Sequence, residues 1–116
     1  SAASDVYKRQ NMKSILCSCT RLENPPEAVC RYQRHMNDIM STMFARMRRA
    51  RATRRVDCDF LREMLPHHKG AVEMASITLQ SDICPELVPI LQAIITSQET
   101  GIAQMEALAA SLRCRC

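Results

Sequence analysis

The chain has 116 residues, which predicts a single domain with a small hydrophobic core. Helix-forming residues dominate and aromatic residues make up only 3% of the chain, so the expected fold class is all-α. The net charge of +4 arises largely from an arginine cluster at positions 46–55, so it does not describe the whole surface. No apolar run approaches the roughly 18 to 20 residues of a membrane-spanning helix, and no membrane span is expected.

Methionine and cysteine are the unusual residues of this composition. Eight Met in so short a chain indicate either a methionine-packed core or a thioether surface for a soft metal ion. Seven Cys cannot all pair within one chain, and no Cys-x-x-Cys is present to suggest a zinc ribbon. Disulfide bonds between the chain ends are compatible with the sequence, but the spacing of the cysteines does not identify the pairs.

The two ends of the chain are expected to lie outside the folded domain. Residues 1–24 are predicted to be a disordered or artefactual tail, residues 25–112 the helical domain and residues 113–116 a C-terminal tail. A positive residue followed by apolar ones at 13–17 begins like a secretory signal. That apolar segment is shorter than the about 7 to 15 residues of a signal core, so no intact signal peptide is identified.

The first predicted helix runs from Pro26 to the early fifties. Proline is tolerated in a first helical turn, and Glu27 suits the positive end of the helix dipole. The arginine cluster closes this helix, where cations are favourable. Four methionines recur at steps of four, three and four residues and therefore share one helix face: Met36, Met40, Met43 and Met47.

Two further helices are predicted in the rest of the chain. Helix two starts near Asp57 or Asp59, either of which could cap it, and Pro66 predicts a kink or a break that leaves the count at three or four helices. Helix three opens at 85–86, and short turns between long helices predict antiparallel neighbours. The residues that helix three is expected to bury are Leu87, Leu91, Ile94, Ile95, Ile102, Met105 and Leu108.

The strongest candidate site lies in helix two, where Met64, His67 and Met74 share one face and His68 follows directly. Imidazole binds several transition metals and thioether sulfur selects Cu(I), so their combination points to copper. His68 is rotated by about 100° from His67, which makes it hard for both rings to hold one ion on a regular helix. A methionine stripe is also typical of a plain core, and that interpretation stays open. His35 is a weaker candidate.

Other chemistries have less support in the sequence. No Glu is followed by His three residues later, and His-Glu-x-x-His is absent, so neither a di-iron nor a zinc hydrolase site is expected and the chain is predicted not to be an enzyme. Cys58 and Cys84 are expected to be small apolar residues at helix ends. The arginine cluster has no interleaved aromatic residues, so a solvated helix end is expected there and no nucleic-acid partner.

Gln98 and Glu99 interrupt the apolar face of helix three. The expectation is that one side chain is exposed and the other forms a hydrogen bond across the bundle. The alternative is that one of them orients a ligating imidazole.

The segment from Asp59 to Ala75 resembles the signature of the family called domain of unknown function 305. In outline that signature reads Asp-x-x-Phe, Met-x-Pro-His-His-x-x-Ala and Met-Ala, and the resemblance covers roughly residues 30–110. It implies a ferritin-like bundle, export of many members and, in some, copper binding in the periplasm. Two positions differ from many members, which carry Glu at Gly101 and Trp at Leu108. The metal ligands implied are Met64, His67, His68 and Met74, with Met36, Met40 and Met43 from helix one.

These features together predict an all-α, ferritin-like antiparallel bundle of three to four helices. Its expected partner is a metal ion, copper as Cu(I) more than Cu(II), which it would sequester or traffic without catalysis. The alternative is a structural or oligomerisation module with a methionine-packed core and no metal. Either function is compatible with a homo-oligomer.

Overall fold

The computed structural model describes residues 23–114, and three helices make up most of this part of the chain. Helix α1 spans Pro26–Arg49, α2 spans Val56–Leu79 and α3 spans Leu87–Ser111. No strand occurs between residues 23 and 114, so the all-α prediction is confirmed. The predicted tail at 1–24 lies almost wholly outside the described residues, as do the last two positions of the predicted C-terminal tail.

Helix α1 begins at Pro26 as its sequence predicts and ends shortly before the predicted end in the early fifties. Pro26 occupies the first turn, where a missing N–H has no cost, and the Pro25 carbonyl accepts hydrogen bonds from the amides of Ala28 and Val29. Glu27 lies at the positive end of the helix dipole. Three arginines lie in the last turn, at the negative end: Arg46, Arg48 and Arg49.

The predicted carboxylate cap of helix two is wrong. Helix α2 begins directly after Arg55, its N-cap residue, which forms no side-chain cap hydrogen bond. Within the first turn, Asp57 accepts a 2.7 Å hydrogen bond from the amide of Cys58. Asp57 and Asp59 lie inside the first turn, where their charges favour the helix dipole. Asp59 instead accepts a hydrogen bond of 2.6 Å from the amide of Thr53, so it fastens the loop between α1 and α2.

Pro66 does not break helix α2. The helix continues through it from Val56 to Leu79, so the described residues contain three helices and the predicted alternative of four is not found. A proline inside a helix costs roughly 3 kcal/mol because it removes one amide donor and crowds a carbonyl. Contacts with both neighbouring helices offset this cost, since α2 is the only helix of residues 23–114 that packs against two others.

The three helices form an open antiparallel layer with α2 in the middle. Helix α2 packs against α1 and α3, whereas α1 and α3 do not contact each other within residues 23–114. The Tyr32 hydroxyl near the start of α1 lies 2.9 Å from the Thr78 hydroxyl near the end of α2. Arg55, just before α2, donates a 2.8 Å hydrogen bond to the carbonyl of Leu112, just after α3. The finer prediction of a ferritin-like arrangement stays a prediction.

The hydrophobic core is small, and α3 contributes less to it than predicted. Leu91 is the one buried residue of α3, whereas Ile94 is 38% exposed and Leu108 is 49% exposed. The prediction that Ile94 and Leu108 are buried is therefore wrong. The physical reason is that α3 has a single neighbour and covers only one of its faces. The buried hydrophobic residues are Ile39, Met43, Cys58, Leu61, Ala75, Cys84 and Leu91.

Two of the buried cysteines are not the simple apolar residues that were expected. Cys58 lies in the first turn of α2 and forms a disulfide bond with Cys114, which follows α3 and lies 56 positions later in the chain. Cys84 is also disulfide-bonded. Cys30 on α1 is an exposed free thiol. The Cys58–Cys114 bond ties the end of α3 to the start of α2, a pairing that spacing alone did not reveal.

Candidate metal site between α2 and α3

His68 lies in the interface between α2 and α3, directly over Gly101. A Cβ atom built at Gly101 would lie 3.5 Å from Cδ2 and 3.9 Å from Nε2 of the His68 ring. The imidazole is half-buried, and its edge faces the one position of α3 that has no side chain. A methyl group at position 101 would therefore contact the ring edge that carries Nε2, and the absence of a side chain at Gly101 leaves that edge uncovered there.

A backbone hydrogen bond defines which nitrogen of His68 is free. Nδ1 lies 2.9 Å from the carbonyl oxygen of Met64, one turn earlier in α2. A carbonyl can only accept, so Nδ1 carries the hydrogen and donates it. In the neutral ring Nε2 then has the lone pair, and it has no hydrogen-bond partner within residues 23–114. This is the arrangement in which metal-ligating histidines are commonly held.

A second acceptor without a donor lies on α3 near this ring. The side-chain oxygen Oε1 of Gln98 is buried and has no hydrogen-bond partner among the described residues. Glu99 is exposed, as expected of one of the two, but the hydrogen bond across the bundle expected of the other is not formed. Gln98 precedes Gly101 by three residues, so it lies on the side of α3 that faces α2. A buried oxygen without a donor is costly unless a ligand or water meets it.

Met105 is a sulfur donor that sequence reasoning placed only in the core. It follows Gly101 by four residues, which puts it on the same face of α3, and it is half-buried. Because α2 and α3 are antiparallel and position 68 meets position 101, position 105 lies opposite Met64. The only signal for it in the sequence was its one-turn spacing from Gly101. That signal has no meaning until the pairing of the two helices is known.

The two adjacent histidines do not converge. His67 is exposed, whereas His68 is half-buried. Their ring centroids are 5.8 Å apart and the ring planes are tilted by 60°. Because α2 continues as a helix through Pro66, the two rings leave its axis about 100° apart, and no break brings them together.

Met43 lies in the other interface of α2. It packs on Gly70, where an added Cβ would lie 2.5 Å from the Sδ of Met43 and 2.9 Å from its Cγ. Gly70 follows His68 by two residues, a rotation of about 200° around the helix. Met43 and His68 therefore lie on opposite sides of α2.

The remaining predicted ligands divide between these two sides. Met36 and Met40 are half-buried on α1, which does not contact α3 within residues 23–114. Met74 follows Gly70 by four residues, about 40° away, and so points toward the α1 side. Of the seven predicted ligands, His68 and Met64 share the α3 side of α2, since they lie four residues, about 40°, apart on this helix.

His35 is separate from the histidine pair. It is exposed and lines a cavity of about 670 Å³ at the opposite end of α2, beside Tyr32 and Thr78. No group of three or more His, Cys, Asp or Glu side chains is placed to hold a metal between residues 23 and 114. The donors available around His68 are therefore one imidazole nitrogen, thioethers and an amide oxygen.

None of the three described helices combines the length and the apolar content that a membrane span needs. No curated protein shows detectable similarity to the chain. A family model, in contrast, matches residues 3–109, which includes the histidine pair and all three helices up to the last turn of α3. The matched range is most of the chain, so the chain belongs to the family described as a domain of unknown function (DUF305).

Proposed function

We propose that the protein binds Cu(I) between α2 and α3, with Nε2 of His68 as the central ligand, and that it sequesters or hands on the ion without catalysis. The observation that carries the proposal is the free Nε2 lone pair, oriented by the hydrogen bond from Nδ1 to Met64 and facing the space over Gly101. Thioethers of Met64 and Met105 lie on the two helices that flank this nitrogen. One imidazole with thioethers is a soft donor set, which suits Cu(I) better than zinc or iron.

The other predicted ligands have different roles in this proposal. Met43 packs α1 against Gly70, which makes it a core residue of the other interface. His67 is exposed and would act as a docking ligand for entry of Cu(I) or for its transfer to a partner. Met36, Met40 and Met74 would add thioethers only on the α1 side. The proposal therefore concerns one site, on the α3 side of α2.

The Cys58–Cys114 disulfide supports a location outside the reducing cytosol. Structural disulfides form and persist in oxidising compartments such as the periplasm. Thioether ligands suit such a compartment because they bind soft ions without being consumed by disulfide formation. We therefore include export to the periplasm in the proposal.

The proposal is tested by titrating the purified, disulfide-bonded protein with Cu(I) against a competing chelator. His68→Ala is expected to weaken Cu(I) binding at least tenfold, because it removes the only oriented nitrogen. His35→Ala is the matched control, since it removes an exposed imidazole at the other end of the layer and should change the affinity less than twofold. Equal affinities for His68→Ala and the wild type would contradict the proposal.

A second experiment tests the sulfur ligands without altering the fold. Met→Leu exchanges nearly conserve volume, so they remove sulfur at little cost in packing. Met64→Leu and Met105→Leu are expected to weaken Cu(I) binding, whereas Met47→Leu on α1 is expected to leave it unchanged. Helix content measured by circular dichroism should be the same in all three variants. Loss of affinity in Met47→Leu alone would place the ion on α1 and contradict the site.

The exposed apolar side chains favour a second candidate function, a structural or oligomerisation module. Phe44 on α1 is 46% exposed and Phe60 on α2 is 58% exposed, which is unusual for a monomer with so small a core. This alternative predicts no shift of the melting temperature with Cu(I), because only an ion that binds the folded state raises it. Sedimentation analysis of the metal-free protein measures the oligomeric state directly.

A further inference from the structure

A cationic cavity lies at the opposite edge of α2 from the methionines of the candidate metal site. Its volume is about 690 Å³, it is open to solvent, and it is lined by the end of α1, the following loop and the middle of α2. None of the side chains that line it is acidic. Five of them are basic, and we call this cavity the arginine pocket: Arg46, Arg49, Arg51, Arg62 and Lys69.

The sequence identified only the basic residues that α1 and the following loop contribute to the arginine pocket. The cluster at 46–55 reads as a solvated helix end, where each arginine points into water. The fold adds Arg62 and Lys69 from α2, so basic groups from two helices line one open cavity. Lys69 is 3.1 Å from a carboxylate oxygen of Glu106 on α3, which leaves the arginines as the unneutralised charges. None of these four arginines forms an ion pair with a carboxylate within residues 23–114.

Arg62 is the residue that indicates a ligand. Its Nη1 donates a 3.1 Å hydrogen bond to the carbonyl of Arg51, which holds the guanidinium across the pocket. Its Nε is buried and has no hydrogen-bond partner among the described residues. A buried donor on a charged group is costly to leave unmet, so the arrangement needs an acceptor that the described part of the chain does not supply.

The apolar residues at the bottom of the arginine pocket, which we call its floor, indicate what kind of ligand supplies that acceptor. Ala50, Leu65 and Pro66 line it with apolar surface, which lowers the local dielectric and strengthens interactions with the arginines. Guanidinium groups match the geometry of phosphate oxygens and bind them in pairs of hydrogen bonds. The volume lies in the range of about 300 to 1,000 Å³ typical of small-molecule sites, which exceeds what a single phosphate needs.

We propose that the arginine pocket binds a small polyanionic phosphate compound, either a condensed phosphate or a phosphate ester. The guanidinium of Arg62 and the free arginines at the end of α1 hold its oxygens, and the apolar floor accepts the remainder of the ligand. This site is independent of the copper proposal, because it lies on the other edge of α2 and uses none of the same residues.

The test measures binding of inorganic pyrophosphate to the full, disulfide-bonded chain by calorimetry at constant ionic strength. Arg49→Gln and Arg62→Gln are expected to weaken binding at least fivefold each. Arg34→Gln removes the same charge from an exposed position of α1 outside the pocket, and its affinity should stay within twofold of the wild type. Arg62→Lys should also weaken binding, because it keeps the charge and removes the Nε donor.

Arg62→Gln also removes the hydrogen bond to the Arg51 carbonyl and could loosen the loop. Arg49→Gln leaves that hydrogen bond intact, so its effect on pyrophosphate binding tests the pocket independently. The proposal is overturned if pyrophosphate binds no better than chloride at equal ionic strength. It is also overturned if Arg34→Gln weakens binding as much as Arg49→Gln, since the effect would then be net charge alone.

A vesicle experiment separates the two sources of such a ligand. Phosphatidylglycerol vesicles present the phosphate as a lipid headgroup, and phosphatidylcholine vesicles are their neutral control. Binding to the anionic vesicles that is lost in Arg49→Gln and kept in Arg34→Gln assigns the headgroup as the source. Pocket-dependent binding of pyrophosphate without vesicle binding assigns a free phosphate compound. Vesicle binding that falls equally in both variants contradicts the pocket.

Discussion

The two interfaces of α2 are built in different ways. Against α1 it relies on shape, since Met43 fills the notch at Gly70 and the Tyr32–Thr78 hydrogen bond closes one end. Against α3 it carries a disulfide bond, an ion pair and the His68 ring over Gly101. The same helix therefore has one interface held by packing and one held by covalent and polar links.

The difference explains where an ion-binding site can form. Where Met43 packs on Gly70 there is no room for an extra atom, because protein cores are packed as densely as crystals. The α2–α3 interface leaves the free nitrogen of His68 and the unpaired oxygen of Gln98, and the disulfide holds its two helices together without requiring a filled core. The oriented imidazole nitrogen therefore lies on the α3 side, whereas the cavities of about 670 and 690 Å³ are lined mainly by α1, α2 and the loops that follow these helices.

The largest effect is expected from removing the Cys58–Cys114 disulfide. Cys114→Ser should lower the free energy of unfolding by about 4 kcal/mol, because the bond closes a loop of 56 positions in the unfolded chain. Urea unfolding followed by circular dichroism measures the change. Cys30→Ser is the control, since that thiol is free and exposed, and it should leave stability unchanged. A loss below about 1 kcal/mol in Cys114→Ser would mean that polar contacts alone hold α3.

The next largest loss of stability is expected from Gly70→Ala in the interface between α1 and α2. The added Cβ would meet Met43 at its Sδ, Cγ and Cβ, at 2.5, 2.9 and 3.2 Å. Overpacking costs about 1 to 3 kcal/mol and the gain in helix propensity returns roughly 1 kcal/mol, so a net loss of about 1 kcal/mol is expected. Chemical denaturation measures it.

A double-mutant cycle shows whether Met43 is the cause of that loss. Met43→Ala alone should cost at least about 2 kcal/mol as a cavity variant, and less than the disulfide variant because Met43 keeps 7% exposure. In the Met43→Ala background, Gly70→Ala should turn neutral or stabilising, because the clash has gone. Strict additivity of the two changes would refute the shape-based account of this interface.

A glycine-to-alanine substitution in the α2–α3 interface should change the free energy of unfolding in the opposite direction. At Gly101 the nearest atom of His68 would be 3.5 Å from a new Cβ, an ordinary contact. Gly101→Ala should therefore raise the free energy of unfolding by about 0.5 to 1 kcal/mol through helix propensity. The measurement is the same urea titration, and destabilisation comparable to Gly70→Ala would show that both interfaces are equally tight.

The sequence predicts the helices better than it predicts their neighbours. The methionine spacing and Pro25–Pro26 located α1, because these signals are local. Whether Pro66 breaks α2 depends on how many helices pack against it, and exposure of Ile94 and Leu108 depends on α3 having one neighbour. The number of helices that pack against α2 or α3 cannot be predicted from the local sequence pattern of either helix.

The candidate site was predicted only in part for a related reason. The histidine pair identifies α2 as the helix concerned, but a rotation of about 200° separates His68 from Gly70 and decides which methionines it can meet. The thioether on the correct side, Met105, is far from the pair in sequence. The disulfide was equally hidden, since seven cysteines allow many pairings and only the antiparallel register of α2 and α3 selects Cys58 with Cys114.

The smallest effect is expected from the ion pair between Lys69 and Glu106. Both side chains are about half exposed, at 48% and 53%, so water and salt screen their 3.1 Å contact. Glu106→Gln should change the free energy of unfolding by less than about 0.5 kcal/mol, and high salt should abolish the change. Glu99→Gln, on the same helix and exposed, is the matched control. A loss well above that of the control would show that the α2–α3 interface depends on this pair, and the disulfide would no longer account for its stability.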